Sequence, residues 1–178
     1  MLLRDVDTVE GVLRSHSADL GSDYAAYKNH VYRVLNLCAA QALPDSESLE
    51  KIATAAVFHD LGIWTDGTFD YLPPSIRLAN AYLLRTGRAE WTPEIGAMIL
   101  EHHKVSRYRG DFGPLVESFR RADWIDVSLG LRRFGLPRSI VVPVFSAWPN
   151  EGFHRRLLQL SLERARTNPR TPLPMIRL

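Results

Sequence analysis

The sequence predicts an all-α fold, and two observations carry that prediction. Apolar residues recur at the three- and four-residue spacing of helices through almost the whole chain, and no run alternates between apolar and polar residues as strands do. Proline and glycine residues interrupt this periodicity and divide it into segments of ordinary helix length. The 178 residues, of which 46% are hydrophobic and 24% charged, suit one globular domain, which we expect to span residues 1–178.

The first two helices are indicated by their apolar residues. Those between Val6 and Leu13 fit a short helix that ends near Gly21. Asp23 can then cap a second helix, whose mainly apolar face runs through residues 27–38.

The third helix is almost wholly apolar at its end. Ser46 or Ser48 can cap its start, and the dipeptide His59-Asp60 terminates it. The stretch 64–71 that follows is rich in Gly, Asp, Thr and aromatic residues, a composition typical of a loop.

Proline and glycine mark the boundaries of the next helices. Pro73-Pro74 begins one that runs through Leu84 and is closed by Gly87. Thr92-Pro93-Glu94 is a strong helix start, because it combines a capping hydroxyl, a proline at the first position and an acid near the positive end of the helix dipole.

The remaining helices follow the same pattern. Leu115, Phe119 and Ala122 share the face of one helix, and Pro137 and Gly152 indicate two more. The proline-rich segment 168–174 is expected to be irregular.

Composition and charge exclude several classes of function. The formal net charge is only +2, so the chain lacks the strong field that attracts nucleic acid or an acidic membrane. No apolar stretch approaches the roughly 20 residues that span a bilayer, and the N-terminus lacks the features of a signal peptide. The single cysteine, Cys38, rules out an intramolecular disulfide and a multi-cysteine zinc cluster. We expect a cytoplasmic protein that binds neither a nucleic-acid polymer nor a membrane, and the sequence leaves its oligomeric state open.

Four helical segments each carry polar residues on an apolar stripe. His59-Asp60 ends the third helix, and His30, His102 and Asp123 continue the stripes of three others. A lone histidine of this kind is usually a hydrogen-bonded core residue, but a buried histidine or carboxylate is costly to desolvate without compensation. Four such segments favour one shared cation that compensates all of them. Imidazoles together with carboxylates suit a divalent transition metal ion (Mn, Fe, Co, Ni or Zn) rather than calcium.

In this order, His30, His59-Asp60 and Asp123 resemble the H…HD…D signature of the HD-domain superfamily of metal-dependent phosphohydrolases. The surrounding residues are similar as well: Asn29–Val34 resembles the first-histidine segment, Phe58–Gly62 the central motif and Ala122–Asp126 the last one. The resemblance covers roughly residues 23–130 and implies an HD-domain-like helical bundle. Residues 131–178 lie outside it and are expected to form C-terminal helices and an irregular tail.

The resemblance implies that His30, His59, Asp60 and Asp123 are metal ligands. It also implies that Asp60 is the catalytic residue, which faces an activated water or bridges two ions. His102-His103 resembles paired histidines that some members use for a second metal or for phosphate contacts. Those members usually have another histidine between the HD pair and the double histidine, and this chain has none there. We therefore expect a single bound ion.

Cationic side chains beside these motifs are candidates for binding an anionic substrate. Lys104 and Arg107 follow the double histidine, and Arg33 lies one turn after His30. Each can contact a phosphate, and each can equally well be a surface residue.

Together with the resemblance, these residues predict a hydrolase that acts on a phosphate ester, either a nucleotide or another small phosphorylated metabolite. The ion would lower the pKa of a water molecule and polarise a phosphoryl oxygen. Two alternatives stay open. One is an iron-dependent oxygenase of the same fold, and the other is a metal-binding regulatory module without turnover.

Overall fold

The computed structural model describes residues 2–177, and this part of the chain is all-α, as the sequence predicts. The α-helices of the described residues are α1 (Asp7–Ser15), α2 (Ser17–Leu20), α3 (Tyr24–Ala42), α4 (Ser46–Phe58), α5 (Gly62–Thr65), α6 (Leu72–Arg85), α7 (Thr92–Glu101), α8 (Gly113–Val127), α9 (Arg138–Ala147) and α10 (Phe153–Thr167). Within residues 2–177 extended chain pairs only at one isolated parallel bridge, between Lys104 and Arg177. In the same range, no helix is both long and apolar enough to cross a membrane.

Helix α3 lies at the centre of the fold. It packs against α4, α8 and α9, and its most extensive contact is with α8. Every residue from His30 to Cys38 is buried, so this helix is covered on all sides. α4 is similarly enclosed from Ile52 to Phe58. Two helices that are buried all round bring polar residues at their ends into the interior.

The helix starts correct three details of the sequence prediction. Asp45, rather than either predicted serine, caps α4, because its Oδ1 accepts a hydrogen bond of 2.8 Å from the backbone N–H of Ser48. Asp23 precedes α3 without capping it, and its carboxylate instead accepts a hydrogen bond of 2.9 Å from the indole N–H of Trp64. Thr92 lies inside α7, whose start follows a single 3₁₀ turn and has no side-chain cap.

The stretch 64–71 is not a loop throughout, because α5 includes its first two residues. This short helix packs tightly against the start of α6. A Cβ atom on Gly62 would lie 2.6 Å from the carbonyl oxygen of Tyr71, and the N–H of Gly62 donates to Oγ of Ser75 at 3.0 Å. The missing side chain of Gly62 therefore permits the close approach of α5 to the start of α6, directly after His59-Asp60.

The C-terminal quarter packs against the same interior. Phe153, the first residue of α10, is 1% exposed and belongs to the main apolar core. The segment after α10 contains no helix, as predicted, but it is fastened to the rest of the chain. Met175 packs against apolar residues of segment 63–72, and the carbonyl of Arg177 accepts a hydrogen bond of 2.8 Å from the N–H of Val105.

Candidate metal centre

Six side chains from four parts of the chain meet in the interior. They are His30 on α3, His59 and Asp60 in the turn after α4, His102 and His103 after α7, and Asp123 on α8. The side chain of His103 is 13% exposed and marks the side of the cluster nearest to solvent, whereas the others are almost completely buried. The structure thus brings together every residue that was predicted as a metal ligand, along with the double histidine.

The innermost part of the cluster is formed by His30 and His59. Their Nε2 atoms lie 2.9 Å apart. Oδ2 of Asp60 is 3.5 Å and 3.6 Å from these two nitrogens, and Oδ1 of Asp123 is 3.8 Å from both. Two imidazole nitrogens bound to one ion at about 2.1 Å lie roughly 3 Å apart when the bonds are near a right angle, which agrees with this spacing.

A second group of ligand atoms lies on the outer side of the same carboxylates. Oδ1 of Asp60 is 3.3 Å from Nε2 of His102, and Oδ2 of Asp123 is 3.2 Å from Nδ1 of His103. Ligand atoms of Asp60, His102 and His103 fall within 4.8 Å of one another, as do those of His30, His59 and Asp60. Asp60 therefore belongs to two possible cation sites, although no histidine intervenes between it and His102 in the sequence.

The hydrogen bonds at Nδ1 of three histidines determine which ring nitrogen presents a lone pair to the cluster. Nδ1 of His59 and Nδ1 of His102 each lie within hydrogen-bond distance of a main-chain carbonyl three residues earlier, at 2.7 Å and 2.6 Å. Nδ1 of His30 lies 2.6 Å from a carboxylate oxygen of Asp126. Because all three partners only accept hydrogen bonds, we assign the ring proton to Nδ1 in each case. In the neutral rings, the Nε2 lone pairs of His30 and His59 then point at each other, an arrangement that requires a cation.

The carboxylates of the cluster also require positive charge. Oδ1 of Asp60 and both carboxylate oxygens of Asp123 are buried and accept no hydrogen bond of good geometry among the described residues. Burial would raise the pKa of Asp123, but the charge of His103, whose Nδ1 lies 3.2 Å from Oδ2, holds that pKa far below its usual range. Both carboxylates are therefore negatively charged, and a divalent ion would balance them.

Without a metal, protons on two histidines fill this role. Burial works to lower the pKa of His30, but its hydrogen bonds with Asp126 and Asp60 outweigh burial and raise the pKa to about 9. Burial also opposes the charging of His103, whose pKa is nevertheless raised by the adjacent Asp123. In contrast, burial and the neighbouring charge of His103 lower the pKa of His102. Metal ions and protons thus compete for one set of buried sites.

The three predicted substrate cations lie in different surroundings. The prediction for Arg33 is corrected: its side chain is fully buried and its guanidinium donates to the carboxylate of Asp126 and to two main-chain carbonyls, so it is not available at the surface to bind a substrate phosphate. Arg107 is exposed and lines a surface cavity of about 620 Å³ that includes none of the cluster residues. Lys104 directly follows His103, and its carbonyl accepts hydrogen bonds from Arg120 and Trp124.

Two further polar side chains, outside the predicted ligand set, touch the cluster. Asp126 lies three residues after Asp123 on α8, and this helical spacing is the signal that could have identified it. The hydroxyl of Tyr71, from the segment after α5, lies 3.3 Å from Nε2 of His102. Nothing in the local sequence distinguishes Tyr71 from other aromatic residues of this segment.

Comparisons with protein-family models, with curated proteins and with solved structures found no match. The chain is a helical protein with a buried cluster of histidines and aspartates that can hold a divalent metal ion. This combination is compatible with an HD-type fold.

Proposed function

We propose that this protein is an HD-type, metal-dependent phosphohydrolase that acts on a small phosphate ester, either a nucleotide or another phosphorylated metabolite. One observation carries the proposal: buried histidine nitrogens and the oxygens of two buried aspartates, which lack well-formed hydrogen bonds, gather in one cluster that can hold a metal ion. The order of these residues along the chain and the helical architecture both agree with the H…HD…D signature.

In this proposal, His30, His59, Asp60 and Asp123 hold the first ion. Their ligand atoms form the innermost part of the cluster, where the Nε2 atoms of His30 and His59 lie 2.9 Å apart. His102 and His103 either complete a second site with Asp60 or contact the substrate phosphate.

When bound, a divalent ion lowers the pKa of a water molecule and polarises a phosphoryl oxygen. The chain's own residues supply the rest of the chemistry. Asp60 is charged and presents one oxygen to each ligand group, so it can help to hold the ion and orient the attacking water. His103 lies on the side nearest to solvent, where the leaving group of a substrate would be. We retain Lys104, the next residue along the chain, as the proposed contact to the phosphate.

The test begins with elemental analysis of the purified protein. It continues with a panel of phosphate esters assayed with Mn²⁺, Fe²⁺, Co²⁺, Ni²⁺ and Zn²⁺ in turn. We expect at least one ion per chain and phosphate release that falls by about 10²-fold or more in Asp60→Asn. The matched control is Asp111→Asn, since Asp111 is an exposed aspartate outside the cluster. Absence of both bound metal and phosphate release under all of these conditions would refute the proposal.

One observation favours a second candidate function, the iron-dependent oxygenase of the same fold. That activity needs two irons, and the cluster gathers four imidazoles and two carboxylates into two ligand groups that share Asp60. Two irons per chain together with O₂ consumption in the presence of a substrate would favour it. Tightly bound metal with neither activity would instead favour a regulatory metal-binding module.

A further inference from the structure

We infer that Asp126 is a positioning residue for the metal ligand His30, and that Arg33 and the junction between α9 and α10 hold Asp126 in place. The inference rests on the proposed metal centre but not on phosphate ester hydrolysis. It assigns a role in metal binding to the C-terminal part of the chain, which lies outside the H…HD…D motif.

The first step is the contact between Asp126 and His30. Oδ2 of Asp126 lies 2.6 Å from Nδ1 of His30, and neither side chain is exposed. A carboxylate in this position accepts a hydrogen bond from Nδ1–H. This bond directs the Nε2 lone pair of the same ring toward the cluster. It also makes the imidazole a stronger ligand, because the partial negative charge on the ring increases.

The second step is the contact between Asp126 and Arg33. The guanidinium of Arg33 donates through Nε to Oδ1 of Asp126 and through Nη2 to Oδ2, the latter at 3.0 Å. This paired contact fixes the plane of the carboxylate as well as its position. It also balances the charge of Asp126.

Helix geometry explains why these two residues serve the same site. His30 and Arg33 are three residues apart on α3, and Asp123 and Asp126 are three residues apart on α8. Side chains at this spacing lie on one helix face, one turn after the other. Where α3 and α8 meet, one turn of each helix therefore contributes a metal ligand, His30 or Asp123. The next turn of each helix contributes one member of the Arg33–Asp126 ion pair behind His30.

The third step is the closure of this arrangement by the C-terminal helices. Nη1 of Arg33 donates to the carbonyls of Trp148 and Pro149 at 3.0 Å and 3.1 Å, directly after α9. At the start of α10, the ring of Phe153 stacks on the ring of His30 with 4.0 Å between centroids. His30 is thus held on one ring face and at Nδ1 by other segments, whereas His59 and His102 rest on carbonyls of their own helices.

A purely structural ion pair is the competing explanation, and the chain offers a matched control for it. Glu117 and Arg120 form a buried, paired contact on α8, with distances of 2.8 Å and 2.9 Å, and Glu117 touches none of the ligands. Glu117→Gln therefore reports the cost of breaking a buried ion pair in this helix. Asp126→Asn breaks a similar pair and also removes the carboxylate behind His30.

The test measures the affinity of the intact protein for Co²⁺ by competition with a chromophoric chelator, together with the visible absorption of the bound Co²⁺. We expect Asp126→Asn to weaken binding by about 10- to 100-fold and to shift the absorption bands, since loss of such a partner has this effect in other metal sites. Asp126→Glu should restore part of the affinity. Glu117→Gln should lower the melting temperature while leaving both readouts within about twofold of wild type.

Unchanged Co²⁺ affinity and an unchanged spectrum in Asp126→Asn would overturn the inference. If that variant does not fold, nitrogen NMR of His30 in the wild-type protein decides the question. The inference requires a proton on Nδ1 of His30 in the metal-loaded protein, and a proton on neither ring nitrogen or on Nε2 refutes it. Metal binding by the wild type without phosphatase activity would refute only the proposed function, so the two failures are distinguishable.

Discussion

Raising the pH of the metal-free protein from 6.5 to 9 is expected to destabilise it, because folding gives His30 a proton that the unfolded chain does not hold in this range. Burial opposes that proton, but hydrogen bonds with Asp126 and Asp60 raise the pKa of His30 from 6.5 to about 9. A group whose pKa is raised by folding contributes its full stability below the unfolded value and loses it as the pH rises through the folded value. The loss therefore falls between pH 6.5 and pH 9.

The size of the effect follows from the difference between the two pKa values. At 1.36 kcal/mol for each pH unit, it amounts to about 3 kcal/mol in the free energy of unfolding. For a chain of this length, that change lowers the melting temperature by roughly 6–12 °C. His103 acts in the same direction, because its pKa is also raised by Asp123 against the effect of burial. His102 and His154, whose pKa values are lowered mainly by burial, titrate on the acid side of this window.

Thermal unfolding followed by circular dichroism, with and without a chelator, measures this directly. The chelated protein should lose stability between pH 6.5 and 9, whereas the metal-loaded protein should change little, because the ion replaces the proton on His30. His16→Ala is the control, since this histidine is partly exposed and pairs with Asp19, outside the cluster. Metal-free stability that stays level or rises across the window would show that the charge assignment of the cluster is wrong.

The remaining predictions concern single residues. His30→Ala and Asp123→Ala should each lose metal and activity together, and full metal occupancy by elemental analysis in both variants would contradict the ligand assignment. Gly62→Ala should destabilise the protein by about 1–3 kcal/mol in urea unfolding, because its Cβ would lie 2.6 Å from the Tyr71 carbonyl oxygen. Gly96→Ala is the control and should not destabilise the protein, since a Cβ there meets open space. Equal effects of the two substitutions would refute the steric argument. Asp45→Ala should cost about 1 kcal/mol through the lost helix cap, and an unchanged urea midpoint would argue against that cap.

The sequence was sufficient to predict most of the helices and the residues that gather in the cluster, for a common physical reason. A polar residue on an apolar stripe points to the interior wherever that helix packs, so the prediction needs no knowledge of the neighbouring helix. His30, His102 and Asp123 are of this kind. The cap of α4 was predicted wrongly, because three polar residues, Asp45, Ser46 and Ser48, stand close together and only the backbone conformation selects one.

Arg33 shows where such reasoning ends. From the sequence it is a cation one turn after a ligand, and a cation near a metal site is expected to bind the substrate anion. Its actual partner, Asp126, lies 93 residues away on another helix, and the pairing depends on how α3 and α8 cross. The equal spacing of His30 and Arg33 on one helix and of Asp123 and Asp126 on the other nevertheless indicates that Arg33 pairs with Asp126. These are two buried helices that each carry two polar groups three residues apart. A buried charge without a partner is too costly to keep. The groups of one turn, His30 and Asp123, can therefore meet at an ion only if those of the next turn, Arg33 and Asp126, neutralise each other.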